Sequence, residues 1–263
     1  MIQPIGVFDS GIGGLSVLRE IHRLLPHEDV VYYADQANVP YGEKTLMQVR
    51  QLVEQVVRYL LDQYKVKMVV VACNTASAAA LHYLRETFPD MAFVGMEPAI
   101  KPAAQYTQTG HIGVLATRAT FQGELFASLL DRFAKDTEVH PLACPDFVML
   151  AERGGPYTQD DQRLVHNQLA PLLAAGIDQL VLGCTHFPFL TSLIQEAVGP
   201  DVTIVDPSEA VARQVWRVLE AAHQLNPSTV KGQTRYLSSG DRQHFAQQVQ
   251  TLLGIEQLQV GSL

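Results

Sequence analysis

Strand-like runs that are apolar on both faces recur along this chain, separated by longer amphipathic stretches, and this alternation restricts what it can fold into. The runs read IGVF, VVYYA, MVVVA, AFVG, IGVLA, LVLG and VTIV. A strand that is apolar on both faces needs cover on both, which is the signature of parallel strands packed between helices. The expected strands are Ile5–Asp9, Asp29–Ala34, Lys67–Cys73, Ala92–Met96, His111–Ala116, Thr137–Ala143, Gln179–Cys184 and Val202–Val205. Between them, Leu46, Val49, Val53, Val56 and Leu60 recur at helical steps within Thr45–Tyr64, and Leu15–Leu25 stops at Pro26. Strand–helix–strand alternation with short links implies an α/β fold with right-handed crossovers.

The pattern occurs twice. Val69 to Thr75 aligns with Leu180 to His186, so that position 73 meets position 184, 111 residues on. Val94 meets Val205 at the same offset of 111, and Ile5-Gly6-Val7-Phe8 meets Ile112-Gly113-Val114-Leu115 at 107. Apolar strands resemble one another cheaply, so the shared offset carries the inference. It implies two pseudo-symmetric α/β domains with largely parallel sheets: residues 1–97, completed by 208–263, and residues 98–207. A turn at Asp206-Pro207-Ser208-Glu209 leads into a helix over Ala210–His223. A strand at Thr234–Leu237, a helix at Arg242–Leu253 and a strand at Gln257–Val260 follow.

Composition narrows the partners. Of 263 residues 47% are hydrophobic and 17% charged, with a net charge of −8. That balance argues against a nucleic-acid surface, which needs clustered Lys and Arg, and against an anionic membrane. No apolar run reaches the ~20 residues that span a bilayer, and Met-Ile-Gln-Pro-Ile does not read as a secretory signal. Three widely spaced cysteines, Cys73, Cys144 and Cys184, are too few for a disulfide scaffold. A cytoplasmic location with free thiols is expected.

In open α/β sheets ligands bind beyond the carboxyl ends of the strands. There stand Asp9-Ser10 followed by Gly11-Ile12-Gly13-Gly14, then Asp35 with Pro40-Tyr41-Gly42 beyond it, then Cys73-Asn74-Thr75 and Cys184-Thr185-His186. A lone strand-end cysteine reads equally well as a small buried hydrophobe. Two at equivalent repeat positions, each with polar followers, point to chemistry. Each precedes an expected helix, whose free amides and dipole lower a thiol's pKa. Cys144 precedes Pro145 and reads as structural. Asp9 suits three roles: orienting or deprotonating Cys73, binding a substrate ammonium, or capping a helix. His186 is placed to tune Cys184 or to take its proton.

Two like thiols across a cleft suit inversion of a stereocentre. One takes the α-proton from one face while the other delivers a proton to the opposite face, and the pair works in both directions. Amides at helix starts, with Ser10, Asn74, Thr75 and Thr185, can hold the substrate carboxylate without a cofactor. Three other readings stay open. Gly11-Ile12-Gly13-Gly14-Leu15-Ser16 with Asp35 approximates a dinucleotide fingerprint, but Ser16 replaces its third glycine and Asp9 would oppose a pyrophosphate. Cys73, Cys184 and His186 could ligate zinc, without the usual local ligand spacing. A Cys184–His186 hydrolase would leave Cys73 idle.

Taken together, Phe8-Asp9-Ser10-Gly11-Ile12-Gly13-Gly14-Leu15-Ser16, Pro40-Tyr41-Gly42-Glu43-Lys44, Ala72-Cys73-Asn74-Thr75-Ala76-Ser77 and Gly183-Cys184-Thr185-His186-Phe187-Pro188 resemble the glutamate racemases of the aspartate/glutamate racemase superfamily. The resemblance runs from about residue 5 to about 220. It implies a cofactor-independent isomerase, with no metal, that interconverts L- and D-glutamate and supplies the D-isomer for peptidoglycan. It implies that Cys73 takes the proton from D-glutamate and Cys184 from L-glutamate, helped by Asp9 and His186 respectively. Ser10, Pro40, Tyr41, Gly42, Asn74, Thr75, Thr185 and His186 would surround the substrate with Asp9, and Asp35 and Glu152 match acids near the site. A homodimer is common among such proteins. An aspartate racemase, or an amino-acid binding protein without catalysis, are the alternatives.

Overall fold

The computed structural model describes residues 3–255, 258 and 260–261. β1 (Ile5–Asp9) and α1 (Leu15–Leu24) are followed by β2 (Val30–Ala34), α2 (Leu46–Tyr64), β3 (Met68–Val71), α3 (Asn74–Thr87) and β4 (Ala92–Val94). Next come α4 (Ile100–Tyr106), β5 (His111–Ala116), α5 (Arg118–Gln122), α6 (Glu124–Phe133), β6 (Glu138–Ala143), α7 (Pro145–Arg153), α8 (Gln159–Ala174), β7 (Gln179–Gly183), α9 (Thr191–Val198) and β8 (Thr203–Val205). The last elements are α10 (Ser208–Ala221), β9 (Thr234–Ser238), α11 (Arg242–Leu253) and β10 (Val260–Gly261). Of the strand expected at Gln257–Val260, Gln257 and Gln259 lie outside the described residues.

The strands form two sheets, ordered β10-β9-β2-β1-β3-β4 and β6-β5-β7-β8. Every pairing described is parallel. This is the α/β architecture the two-faced apolar strands require. Val7, Val30 and Val70 face one side of the first sheet, against Leu15, Leu18 and Ile21 of α1 and Val215 of α10. Phe8, Val31, Val69 and Val71 face the other, against Val49, Val53 and Leu60 of α2 and Leu84 of α3. The second sheet is covered likewise, by Phe147, Leu169 and Ile194 on one face and by Ile100, Phe126 and Leu129 on the other.

The expected strands are found within a few residues of their observed ends. Local chemistry sets the helix limits. Thr45 and Gln48 form a reciprocal capping box at the start of α2, and Lys65 closes it in the left-handed conformation. Asp241 caps α11 by accepting from the Gln243 and His244 amides. The C-terminal segment extends the first sheet: β9 lies beside β2 in the register Val30↔Thr234 to Ala34↔Ser238, and α10 packs along α1. Among the described residues no helix is long and apolar enough to cross a membrane.

One buried ion pair ties this segment down. Lys67 Nζ lies 2.6 Å from Glu28 Oε2, and both side chains are almost wholly buried. The same ammonium donates to the Gln224 carbonyl at 2.7 Å, and the Asn226 amide donates to Glu28 Oε1 at 2.7 Å. Removing one member of such a pair leaves an uncompensated charge in the interior. Lys67→Met is expected to destabilise the fold by about 3–5 kcal/mol in urea unfolding. The double variant Lys67→Met/Glu28→Leu is expected to recover much of that loss.

Candidate active site

The loop after β1 and the ends of β3 and β7 meet, Cys73 reaching Ser10 and Thr185 reaching Asp9. Asp9, the last residue of β1, is fully buried. Its Oδ1 accepts from the Ser10 amide at 2.6 Å and the Ser10 hydroxyl at 3.1 Å. Its Oδ2 accepts from the Gly14 amide and, at 3.2 Å, from the Thr185 hydroxyl. Burial pushes the Asp9 carboxyl up; the His186 charge opposes the rise and the Glu152 charge adds to it. Asp9 is not the cap of α1, whose N-cap is Gly14 without a side-chain cap; it is linked to Cys73 through Ser10, because Cys73 Sγ donates to Ser10 Oγ at 3.8 Å.

Cys73 is the N-cap of α3, and its sulfur accepts from the Ala76 amide at 3.5 Å. Position at a helix start predicts a lowered thiol pKa. The structure gives the opposite: burial first, and the adjacent Asp9 second, hold the Cys73 thiol well above its ordinary value against the Ala76 hydrogen bond. The dipole is outweighed because the sulfur is out of water and faces a carboxyl group.

Cys184 departs from its expectation in another way. It follows β7 directly, but no α-helix begins there. A 3-10 turn over Phe187–Leu190, with Pro188 in its first positions, separates it from α9. A side chain replaces the helix start: His186 Nδ1 lies 3.7 Å from Cys184 Sγ, and His186 Nε2 lies 2.7 Å from Glu152 Oε1. Burial would lower the His186 pKa, but hydrogen bonds to Cys184 and Glu152 hold it well above its ordinary value. Burial would likewise raise Glu152, but His186, the Ile12 amide and Gln36 hold it below the usual carboxylate range.

The glycine loop is shaped by this pair. A Cβ on Gly11 would lie 1.8 Å from Glu152 Oε1, and one on Gly13 would lie 2.5 Å from both His186 Nδ1 and Thr185 Oγ1. The Ile12 and Gly14 amides, which a phosphate would need, donate to Glu152 and Asp9 instead. The loop is thus occupied by carboxylates, and the dinucleotide reading does not fit.

The remaining expected residues divide. Asn74 is buried, and both polar atoms of its side-chain amide lack a protein partner. Thr75 Oγ1 lies 2.8 Å from Thr117 Oγ1, across to the end of β5. Tyr41 donates to Asp35 Oδ2 at 2.6 Å, and Asp35 also accepts from Asn38 and from Ser239. Asp35 therefore positions Tyr41 and has no hydrogen bond to either sulfur. Pro40 and Gly42 line a cavity of about 270 Å³ with Thr117, Arg118, Pro145 and Val148, and neither sulfur borders it.

Several supporting residues were not expected. Gln36 Nε2 donates to Glu152 Oε2 at 3.2 Å and to Gln248 Oε1 at 2.8 Å, and Gln248 Nε2 donates to the Glu152 carbonyl at 2.5 Å. Thr117 could have been found, since the 107-residue offset places it opposite Ser10. Gln248, on the last helix, carries no local signal. Cys144 caps α7 from within the second core, and burial pushes its thiol up to about 12. Among the described residues, the group whose ligand atoms converge as a metal requires lies elsewhere, on β5 and β6.

The profile of the Asp/Glu/hydantoin racemase family matches residues 5–215. The chain is 52% identical over 244 residues to the glutamate racemase of Herpetosiphon aurantiacus, covering 93% of this chain and 95% of that protein. Its fold superimposes on the crystal structure of glutamate racemase isoform RacE1 from Bacillus anthracis with a TM-score of 0.89 and 34% identity, over 99% and 96% of the two chains. The glutamate racemase of Francisella tularensis, crystallised with D-glutamate, gives a TM-score of 0.86 at 28% identity, over 99% and 97%.

Because a carboxylate next to an imidazole favours the imidazolium, Glu152→Gln is expected to lower the His186 titration midpoint. NMR of the labelled imidazole would follow that shift, and Glu152→Asp is expected to restore part of the difference.

Proposed function

The chain belongs to the Asp/Glu/hydantoin racemase family, and we propose that it interconverts L- and D-glutamate by passing a proton at the α-carbon between Cys73 and Cys184, with no organic cofactor or metal. The observation that carries this reading is the pairing of each thiol with its own polar relay in one buried site. Cys73 leads through Ser10 to Asp9, and Cys184 leads through His186 to Glu152. Thr185, between Cys184 and His186 in the chain, donates to Asp9. Named relatives of high coverage support glutamate as the substrate.

In the L-to-D direction the Cys184 thiolate removes the α-hydrogen as a proton, leaving the electron pair on the α-carbon and its carboxylate. The Cys73 thiol donates a proton to the opposite face. Each sulfur ends in the other's starting state, and the return reaction restores them. The raised Cys73 pKa suits a resting thiol ready to donate in this direction. His186, held cationic beside Glu152, is placed to exchange a proton with Cys184. Backbone amides at the start of α3 and the free amide of Asn74 would take up the charge that builds on the substrate.

This reading places the substrate between residues 1–97, completed by 208–263, and residues 98–207. It sets the enzyme, as a homodimer, in a reducing cytoplasm, where its D-glutamate feeds peptidoglycan. Aspartate is the alternative substrate the chemistry admits. A one-methylene difference is expected to favour glutamate about 10- to 200-fold in kcat/KM in a side-by-side assay.

In heavy water without added cofactor, both enantiomers of glutamate are expected to take up deuterium at the α-carbon. Cys73→Ser and Cys184→Ser are each expected to slow racemisation about 10²- to 10⁴-fold, followed by circular dichroism. Undiminished turnover in either variant would remove the two-thiol mechanism, and tight glutamate binding with no deuterium uptake would mark a binding protein instead. Asn74→Ala is expected to raise KM about 10- to 100-fold without lowering the melting temperature. A buried amide with no protein partner contributes to ligand binding rather than to the fold.

A further inference from the structure

Away from the sulfurs, at the amino ends of β5 and β6, three side chains converge that the proposed reaction does not use. His111 opens β5 and pairs in register with Glu138, the first residue of β6, and His140 follows Glu138 by two positions. Side chains two apart on a strand share a face, so all three stand on one side of the sheet. His111 Nδ1 lies 3.1 Å from His140 Nε2 and 3.6 Å from Glu138 Oε2. His140 Nε2 lies 3.7 Å from Glu138 Oε1. The imidazole rings stack 5.4 Å apart.

We propose that His111, Glu138 and His140 form a binding site for a divalent transition-metal ion, zinc in the first place. Zinc bonds of about 2.0–2.1 Å in a tetrahedron separate neighbouring donor atoms by about 3.3 Å; the two imidazole nitrogens lie 3.1 Å apart, and the Glu138 carboxylate approaches one through Oε2 at 3.6 Å and the other through Oε1 at 3.7 Å. Two imidazoles and a carboxylate are the donor set that suits zinc, and water completes the fourth position. The three residues are partly exposed, so an ion can enter from solvent. The site is far from the proposed chemistry: β5 runs five residues from His111 to its carboxyl end, about 17 Å at ~3.3 Å per residue.

The structural consequence follows from topology. β6 is an edge strand, and its residues are the least buried of those in the second sheet's longer strands. It is held on one side only, by β5. An ion ligated from both strands adds a cross-strand bond where the ladder begins.

The test is zinc sulfate titrated into the reduced, chelator-treated full-length protein, read by calorimetry, with cobalt(II) as a spectroscopic substitute. The expected result is one ion bound, with cobalt d–d bands and no thiolate-to-cobalt charge-transfer band. His140→Asn and Glu138→Gln lie on the surface of an edge strand and are each expected to weaken binding by at least about 100-fold, more than loss of a supporting partner costs. Zinc at about 100 times its dissociation constant is expected to raise the folded-to-unfolded ratio about 100-fold in the parent protein and by no more than about twofold in either variant. Absence of binding in the parent, binding that survives both substitutions, or a cobalt spectrum dominated by thiolate charge transfer would overturn the proposal. The last result would place the ion on Cys73 or Cys184 instead.

Discussion

A carboxylate taken wholly out of water must be matched by donors, and Asp9 meets that requirement by drawing together parts of the chain far apart in sequence. Its oxygens hold Ser10 and the Gly14 amide in place, which shapes the start of α1, and they reach Thr185 beyond β7. The packing of the first half against the second at this point is therefore polar and directional. Side chains in the apolar layers on either side can repack by small shifts, but a buried acid with its partners displaced costs several times more. The glycine loop obeys the same constraint, since a side chain on Gly11 would meet Glu152 and His186, and one on Gly13 would meet His186, Thr185 and Asp9 itself.

The two thiols occupy equivalent positions in a repeat, yet their settings are not equivalent. Cys73 sits at a true helix start beside an acid, whereas Cys184 sits before a 3-10 turn beside an imidazole held by a second acid. One half thus supplies a carboxyl relay and the other an imidazolium relay. For a reaction run in both directions this gives each sulfur a partner of different proton affinity. The halves differ at these partners and also in extent, since the first sheet has six strands and the second four.

Much of this was legible in the sequence. Runs apolar on both faces announce parallel strands because burial on two sides leaves no alternation, and Cys73, Cys184, Asp9 and His186 were readable because they stand where such strands end. What escaped depended on distance along the chain or on burial. The Gln36–Gln248 bridge behind Glu152 spans 212 positions and leaves no local pattern. The direction of the Cys73 shift could not come from helix position alone, because desolvation is a property of the packed site. The 3-10 turn after Cys184 has no local signal, because Pro188 suits the first turn of an α-helix as well as a 3-10 turn.

The order of β9, β2 and β1 in the first sheet has a bearing on how the molecule is made. β2 gains its outer neighbour from residues 234–238, and Glu152 gains its backing from Gln248. Chains emerge from the ribosome amino end first, at about 5–20 residues per second. The middle sheet, formed from one continuous stretch, can close while the earlier one still waits for its edge. The surroundings of Glu152 and the outer edge of β2 are thus completed only when residues 234–248 have been made, so a nascent chain carries Cys73 and Cys184 before it carries that support.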